Sequence, residues 1–540
     1  MTSTLEEAED RARNSAGPRP GANEEHLPQT RLWFGRVLGP ALGLALYLLL
    51  PADAALSDAA RATAAIAVMV AVWWMTEALP LAVTSLVPIV AFPVAGVLSV
   101  GDATAPYASP TVFLFMGGFM IALAMQKWNL HKRIALLVMR AIGTKPRQLI
   151  LGVMIATAFL SMWVSNTATT LMMLPIGISV LALVATKKVR TATGGADSDG
   201  ASSATGSSAV SEMFADKDTK NFATCLMLSI AFAATIGGLA TLIGSPPNLI
   251  LAGFVEETYG TSIGFADWMK IGVPLSAVFL IVAWFLLTRV VYPTKLTDVV
   301  GGRNVIDAEL AGLGRMSRGE WIVATVFATT ALLWVFREMI TESGVLPFME
   351  NVDDAMIGIA AAVVLFLIPA SSREGKAVMT MDWRTAQSGI PWGVLLLFGG
   401  GLSLAKAVQD TELSTYIGTQ LGGLGVLPTV LLVAAVCLVI LALTELTSNT
   451  ATAATFLPVL AGVALGIGID PMLLLVPAAF AATCSFMLPV GTPPNAIVFG
   501  SGYVTMGQMV RAGVWLNLVG MVLITGAMLL LGGWALGISV

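Results

Sequence analysis

Two short phrases hold the residues of this chain best suited to chemistry, and each phrase occurs twice. Ser165-Asn166-Thr167-Ala168-Thr169 recurs as Ser448-Asn449-Thr450-Ala451-Thr452. Gly244-Ser245-Pro246-Pro247-Asn248 recurs as Gly491-Thr492-Pro493-Pro494-Asn495. A further hydroxyl, Ser161 or Thr444, stands about one helical turn ahead of each Ser-Asn pair. Hydroxyl, amide and backbone carbonyl oxygens are hard, neutral ligands, suited to Na⁺ rather than to a transition metal. Each half therefore offers one oxygen kit, and two kits imply two symmetry-related cation sites. Pro-Pro is expected to stop a helix and free the carbonyls before it, with a Gly opening the break and the following Asn bracing the loop or capping the next half-helix. Helix N-termini aimed inward favour anions. Segments 148–186 and 444–501 contain no Lys or Arg. An anion there is neutralised by bound cations and helix dipoles, which is a physical reason for coupling anion to cation.

All of these residues lie in or beside apolar runs. The chain of 540 residues is 56% hydrophobic and 11% charged, with a mean hydropathy of +0.83. Soluble domains carry about 25% charge, so this is an all-α polytopic membrane protein. The net charge of −4 gives no nucleic-acid footprint. Cys225, Cys437 and Cys484 stand singly, and the two histidines, His26 and His131, lie in polar flanks. These leave no metal-ligand cluster, no Ser-His-Asp triad and no nucleophile–base pair, and no P-loop is present. An enzyme or an ATP-driven pump is therefore not expected.

Hydropathy suggests about eleven crossings and two helical hairpins that enter the membrane without crossing it. Residues 1–31 form a disordered cytoplasmic N-terminus. Residues 36–186 hold the first-repeat scaffold helices, including a span at 81–98, and end in a hairpin at 148–186. Residues 187–221 are a flexible insertion, low in complexity over 191–211. Residues 222–292 hold a broken helix (222–256) and one further span, and 320–407 hold the second scaffold set. The second hairpin is 430–465, and 472–540 hold a second broken helix (472–501) and the last span. Each hairpin carries its Ser-Asn-Thr near the tip, at membrane depth. Basic clusters (Lys127 to Arg147, Lys187 to Lys220, Arg289 to Arg318, Arg373 to Arg384) mark the cytoplasmic face, whereas Glu256, Glu257, Asp267, Glu350, Asp353 and Asp354 mark the other. On this map the N-terminus is inside and the C-terminus outside the cell membrane; the first hairpin opens to the cytoplasm and the second outward.

The spacing identifies a duplication. Asn449 follows Asn166 by 283 positions, and the same offset links Thr444 to Ser161, Phe398 to Phe115 and Pro458 to Pro175. Beyond the hairpins the offset from Asn248 to Asn495 is 247, and 283 − 247 = 36, about the size of the insertion with its flanks. An odd number of spans separates the hairpins, so the repeats are inverted, as alternating access requires.

These motifs, with Trp73-Trp74-Met75-Thr76-Glu77-Ala78-Leu79-Pro80 and the stretch from Ile390-Pro391-Trp392 to Gly401, resemble the divalent anion:Na⁺ symporter family over about residues 36–540. The resemblance implies a homodimer in membrane lipid, with a scaffold domain and a transport domain that shifts as an elevator. It implies one Na⁺ on Ser161, Ser165, Asn166 and Gly244, and another on Thr444, Ser448, Asn449 and Gly491. It implies substrate contacts from Ser165, Asn166, Thr167, Ser245, Ser448, Asn449, Thr450, Thr492 and Pro493. Thr at the third position of both tips resembles bacterial members that prefer C4-dicarboxylates such as succinate, malate or fumarate; citrate, sulfate, and Na⁺-independent exchange are the alternatives.

Other residues have plainer readings. Glu445, next to the second tip and matched by Met162, is either a further cation or proton site or a structural brace. Glu77 is read as a helix-terminus residue. Gly117-Gly118 and Gly399 to Gly401 are read as close-packing points. The cluster from Lys127 to Arg147 is a topology signal or, more specifically, a helix lying at the interface.

Overall fold

The computed structural model describes residues 29–51, 56–143, 145–192, 217–294, 296, 302–344, 346–373, 376–421 and 427–538. The expectations for residues 1–28 and 193–216 lie outside the described residues. The rest is helical, apart from an antiparallel two-stranded hairpin, Pro369–Arg373 with Lys376–Met379, that the hydropathy pattern did not suggest. Among the described residues, eight helices are long and apolar enough to cross a bilayer, and seven more apolar helices are shorter.

Both hairpins form. The first is Pro146–Ser161 followed by Asn166–Ala192, and the second is Thr429–Thr444 followed by Asn449–Ile467. Both broken helices form as well. The first is Lys217–Gly238 followed by Pro246–Tyr259, and the second is Met472–Thr483 followed by Pro493–Gly500. The segment expected at 81–98 is shorter and interrupted: Leu81–Thr84 is followed after a turn by Val87–Val94, with Pro88 at the start of the second piece and Pro93 near its end.

At the centre lies Lys217–Gly238, apolar all round and buried from Phe222 to Gly238, as a helix enclosed by other helices must be. Small residues bring its neighbours close. A Cβ on Gly237 would lie 2.5 Å from Ala158 Cα in the first hairpin. The glycine pairs read as packing points are packing points. Gly117 abuts the backbone of Gly358, and Gly400 abuts that of Ser85. Their neighbours Gly118 and Gly401, again 283 positions apart, face Ile243 in the first break and Ala454 in the second hairpin. Glu77 ends the helix Asp58–Thr76 with a left-handed backbone (φ 51°), a terminus role as expected.

Leu130–Ile142 is an amphipathic helix. Leu130, Ala135, Leu136 and Met139 are buried. Its polar face pairs Lys132 with Glu309 (2.7 Å), Arg133 with Glu320 (2.6 Å) and Arg140 with Asp307 (3.2 Å). Glu309 and Asp307 sit on Gly302–Gly312, a helix not expected from hydropathy. Nearby, Lys127 bonds Asp382 at 2.8 Å and, with the Thr385 N–H, holds that carboxyl down at about 2. The acidic loops also meet one another: Phe265 N donates to Asp354 (3.0 Å), and Arg337 pairs with Asp354 (2.9 Å).

Candidate functional site

The two hairpin tips are turns of the same build. After Ser161 the chain leaves the helix, and Ser165 caps the next one by accepting from Ala168 N at 3.3 Å. Ser448 occupies the same place ahead of Asn449; its carbonyl accepts from Thr452 N at 2.8 Å, while its hydroxyl makes no capping bond. Ser165, Asn166 and Thr167 are half-buried, as are Ser448, Asn449 and Thr450. They are reachable in a way the first break, buried from Leu239 to Ser245, is not.

The breaks differ from the expected form in one respect. Gly244 and Gly491 do not open them. The helices stop earlier, at Gly238 and Thr483, and Gly244 and Gly491 stand near the far end. Pro246-Pro247 and Pro493-Pro494 do not end a helix but begin one, at its first two positions, where a missing N–H costs nothing.

The freed backbone is mostly answered by side chains of this chain rather than left for a ligand. In the first break, Asn248 Nδ2 donates to Gly238 O (2.9 Å) and Thr241 O (2.8 Å), and Trp268 Nε1 to Leu239 O (3.0 Å). In the second, Asn495 Nδ2 donates to Ser485 O (3.1 Å) and Leu488 O (3.0 Å). Each Asn and its two carbonyl partners correspond at the offset of 247. Asn248 Oδ1 and Asn495 Oδ1 are both buried and without a hydrogen-bond partner among the described residues.

The tips lean on the breaks. With its amide nitrogen turned to the surrounding acceptors, Asn166 donates to Ser161 Oγ (2.6 Å), Ala234 O (3.1 Å) and Gly244 O (3.2 Å). Thr444 Oγ1 donates to Asn449 Oδ1 (2.6 Å) and bonds Ala482 O (2.7 Å), and Asn449 Nδ2 reaches Thr483 O (3.2 Å). Across the repeats, the Ser245 hydroxyl meets the Thr483 hydroxyl at 3.0 Å, fully buried. One connected path thus runs from Asn166 through Gly244-Ser245 and Thr483 to Asn449 and Thr444.

Of the predicted residues, Ser161, Asn166 and Gly244 come together directly, as do Thr444 and Asn449. Gly491 joins the second group through Ser485 and Glu445. Thr492 is buried with its hydroxyl accepting from Asn495 N at 3.3 Å, and Pro493 is exposed. Sequence reasoning missed Thr483, Ser485, Gly238, Thr241 and Asn517. The offset of 247 could have exposed the Gly238–Ser485 pair. Thr483 is matched by Ile236 and left no repeat signal.

Glu445 is a brace. Its oxygens accept from Ser485 Oγ (2.9 Å), Phe486 N (2.8 Å), Met487 N (3.0 Å), Leu488 N (3.0 Å) and Asn517 Nδ2 (2.7 Å).

Comparison with known proteins agrees with this architecture. The model of the sodium:sulfate symporter transmembrane region matches residues 31–537. The chain belongs to the sodium:sulfate symporter family. Relatives of this symporter-family chain include two called sodium-dependent dicarboxylate transporter SdcS. The one from Staphylococcus saprophyticus is 41% identical over 511 residues, covering 94% of this chain and 92% of the relative. The one from Staphylococcus aureus (strain USA300) is 40% identical over 492 residues, covering 91% and 89%. Among solved structures, the Alcanivorax borkumensis YdaH transporter aligns with TM-score 0.54 at 14% identity, over 94% of this chain and 99% of that one. Neisseria gonorrhoeae MtrF aligns with TM-score 0.53 at 11% identity, over 93% and 95%. At such identities these two share the fold alone.

Proposed function

We propose that this protein is a Na⁺-coupled symporter that imports C4-dicarboxylates such as succinate, malate or fumarate across the cell membrane. The observation that carries the reading is the unbroken polar path joining both tips to both breaks. Ser161, Ser165, Asn166 and Gly244 hold one Na⁺; Thr444, Ser448, Asn449 and Gly491 hold the second. The substrate lies against the tips, on Ser165, Asn166, Thr167, Ser448, Asn449 and Thr450, with Ser245 and Thr492 at the start of the post-break helices and Pro493 at the margin. No Lys or Arg lies in segments 148–186 or 444–501. A dianion there is balanced by the bound cations and the N-termini of the half-helices. Without Na⁺ its desolvation, several kcal/mol per charge, goes uncompensated. Coupling follows from electrostatics alone.

Alternating access is by an elevator. The Ser245–Thr483 contact supports moving the hairpins and broken helices as one body, together with the helices Phe265–Phe285 and Met506–Leu536 that carry Trp268 and Asn517, against the remaining helices, with Gly118 and Gly401 on the sliding face. Contacts that change in that motion include Thr111–Glu256 (2.8 Å), Lys406–Glu257 (3.7 Å) and Gln409 with Thr258 O (2.9 Å). The protein works as a homodimer, N-terminus in the cytoplasm and C-terminus outside.

Succinate uptake into proteoliposomes, empty or preloaded with succinate, with and without an inward Na⁺ gradient, tests this. Uptake into empty vesicles that requires the gradient is expected. Uptake confined to preloaded vesicles and indifferent to Na⁺ would mean an exchanger and would sink the cation assignment.

A further inference from the structure

The two oxygen kits match position for position, yet they are not surrounded alike, and this inference rests on reading them as Na⁺ sites. Beside the second kit stands a carboxylate; the equivalent residue beside the first is Met162. Glu445 directly follows Thr444, a hydroxyl of the second kit, and a Cβ built on Gly491 would lie 3.3 Å from Glu445 Oε2. The hydroxyl of Ser485 fills the space between, where the first half has Gly238.

The partners of Glu445 decide what it can do. Three successive backbone N–H groups, which can only donate, and the Asn517 Nδ2 and Ser485 hydroxyl together use both oxygens. An ionised carboxylate accepts from all five as they stand, whereas a carboxyl proton would require Ser485 or Asn517 to turn round and accept. Among the described residues no Lys or Arg pairs with Glu445. Dipoles hold the charge in place without cancelling it, so a cation nearby still feels it, and in a water-poor interior over a few ångström that attraction is large.

We propose that Glu445 makes the second kit the tighter of the two Na⁺ sites, by holding the 484–492 break in its ligating shape and by setting a full negative charge beside Gly491. The second kit fills first, and the first kit, neutral throughout, is the weaker site that sets the Na⁺ dependence of transport. Glu445 is thus a positioning and affinity-determining residue.

The test uses the purified full chain, with thermal unfolding followed against Na⁺ at constant ionic strength in choline. Asn166→Ala leaves the second kit to be read alone, and Asn449→Ala leaves the first. Wild-type protein is expected to give two Na⁺ midpoints. The lower persists in Asn166→Ala, and the higher in Asn449→Ala. Adding Glu445→Gln should raise the midpoint about tenfold or more in the Asn166→Ala background and leave it unchanged in the Asn449→Ala background. Glu445→Asp, which keeps the charge, should shift the first of these less. If Glu445→Gln does not fold, Glu445→Asp gives the same answer by the background in which its shift is seen. Equal shifts in both backgrounds, or none in either, overturn the proposal while leaving the two cation sites standing. A wild-type protein whose unfolding ignores Na⁺ overturns the sites and this inference together.

Discussion

The first and second breaks solve one problem with the polarity reversed. In the first, the break reaches back to the tip: Thr241 Oγ1 donates to Met162 O at 2.5 Å. In the second, the tip reaches into the break: Glu445, which replaces Met162, accepts from Leu488 N, and Leu488 replaces Thr241. The polar partner has changed sides while the contact between tip and break has been kept. Duplication fixed where the two must touch and left open which of them supplies the side chain.

The comparison is sharpened most by removing what the halves share. Asn166→Ala and Asn449→Ala should each cut Na⁺-driven succinate uptake by about a hundredfold or more while leaving protein that elutes as a folded species. Near-normal uptake by either variant would break the equivalence of the tips. A smaller contrast is expected where the halves differ. Glu445→Ala strands the buried N–H of Phe486, at about 1–3 kcal/mol, and the part-buried N–H groups of Met487 and Leu488 at less, whereas Thr241→Val loses a single neutral bond of about 1 kcal/mol. Thermal unfolding of the two variants side by side should therefore show a much larger fall for Glu445→Ala; equal falls would mean that the carboxylate is no stronger a brace than the hydroxyl.

The position matching Gly237 in the second half is Cys484. Gly237→Cys drives a side chain into the Ala158 backbone and should cost about 1–3 kcal/mol, whereas Cys484→Gly should cost less; thermal unfolding midpoints again decide, and a Gly237→Cys protein as stable as wild type would contradict the close approach. The smallest effect is expected from deleting residues 192–210, the insertion absent from the second half. Uptake should stay within about twofold of wild type, since changing the length of a connecting segment changes closure entropy little.

Much of this was legible in the sequence because duplication writes its own alignment. The offset of 283 located both tips, and that of 247 both Pro-Pro-Asn loops. The family, the hairpins and the broken helices followed. What stayed hidden has physical reasons. Thr483 and Ser485 look like ordinary small polar residues in an apolar helix, and only the fold brings Thr483 to Ser245 across 238 positions. Glu445 offered two readings, because a lone intramembrane acid gives no sign of its donors, and backbone N–H groups carry no mark in a sequence. The breaks were placed late because Gly and Pro are conspicuous, whereas a helix ending at Gly238 or Thr483 is decided by tertiary partners such as Trp268 and Asn248.

The paired prolines at the start of each post-break helix bear on selectivity. Such a helix end offers its electric field but lacks two of the N–H groups that would dictate where an oxygen must sit. Attraction for an anion is thus separated from recognition of its shape. On the proposed reading, recognition falls to a handful of side chains at the two tips and at Ser245 and Thr492, and a change of cargo within this architecture would need only a few substitutions there and leave untouched the helix ends that draw negative charge inward.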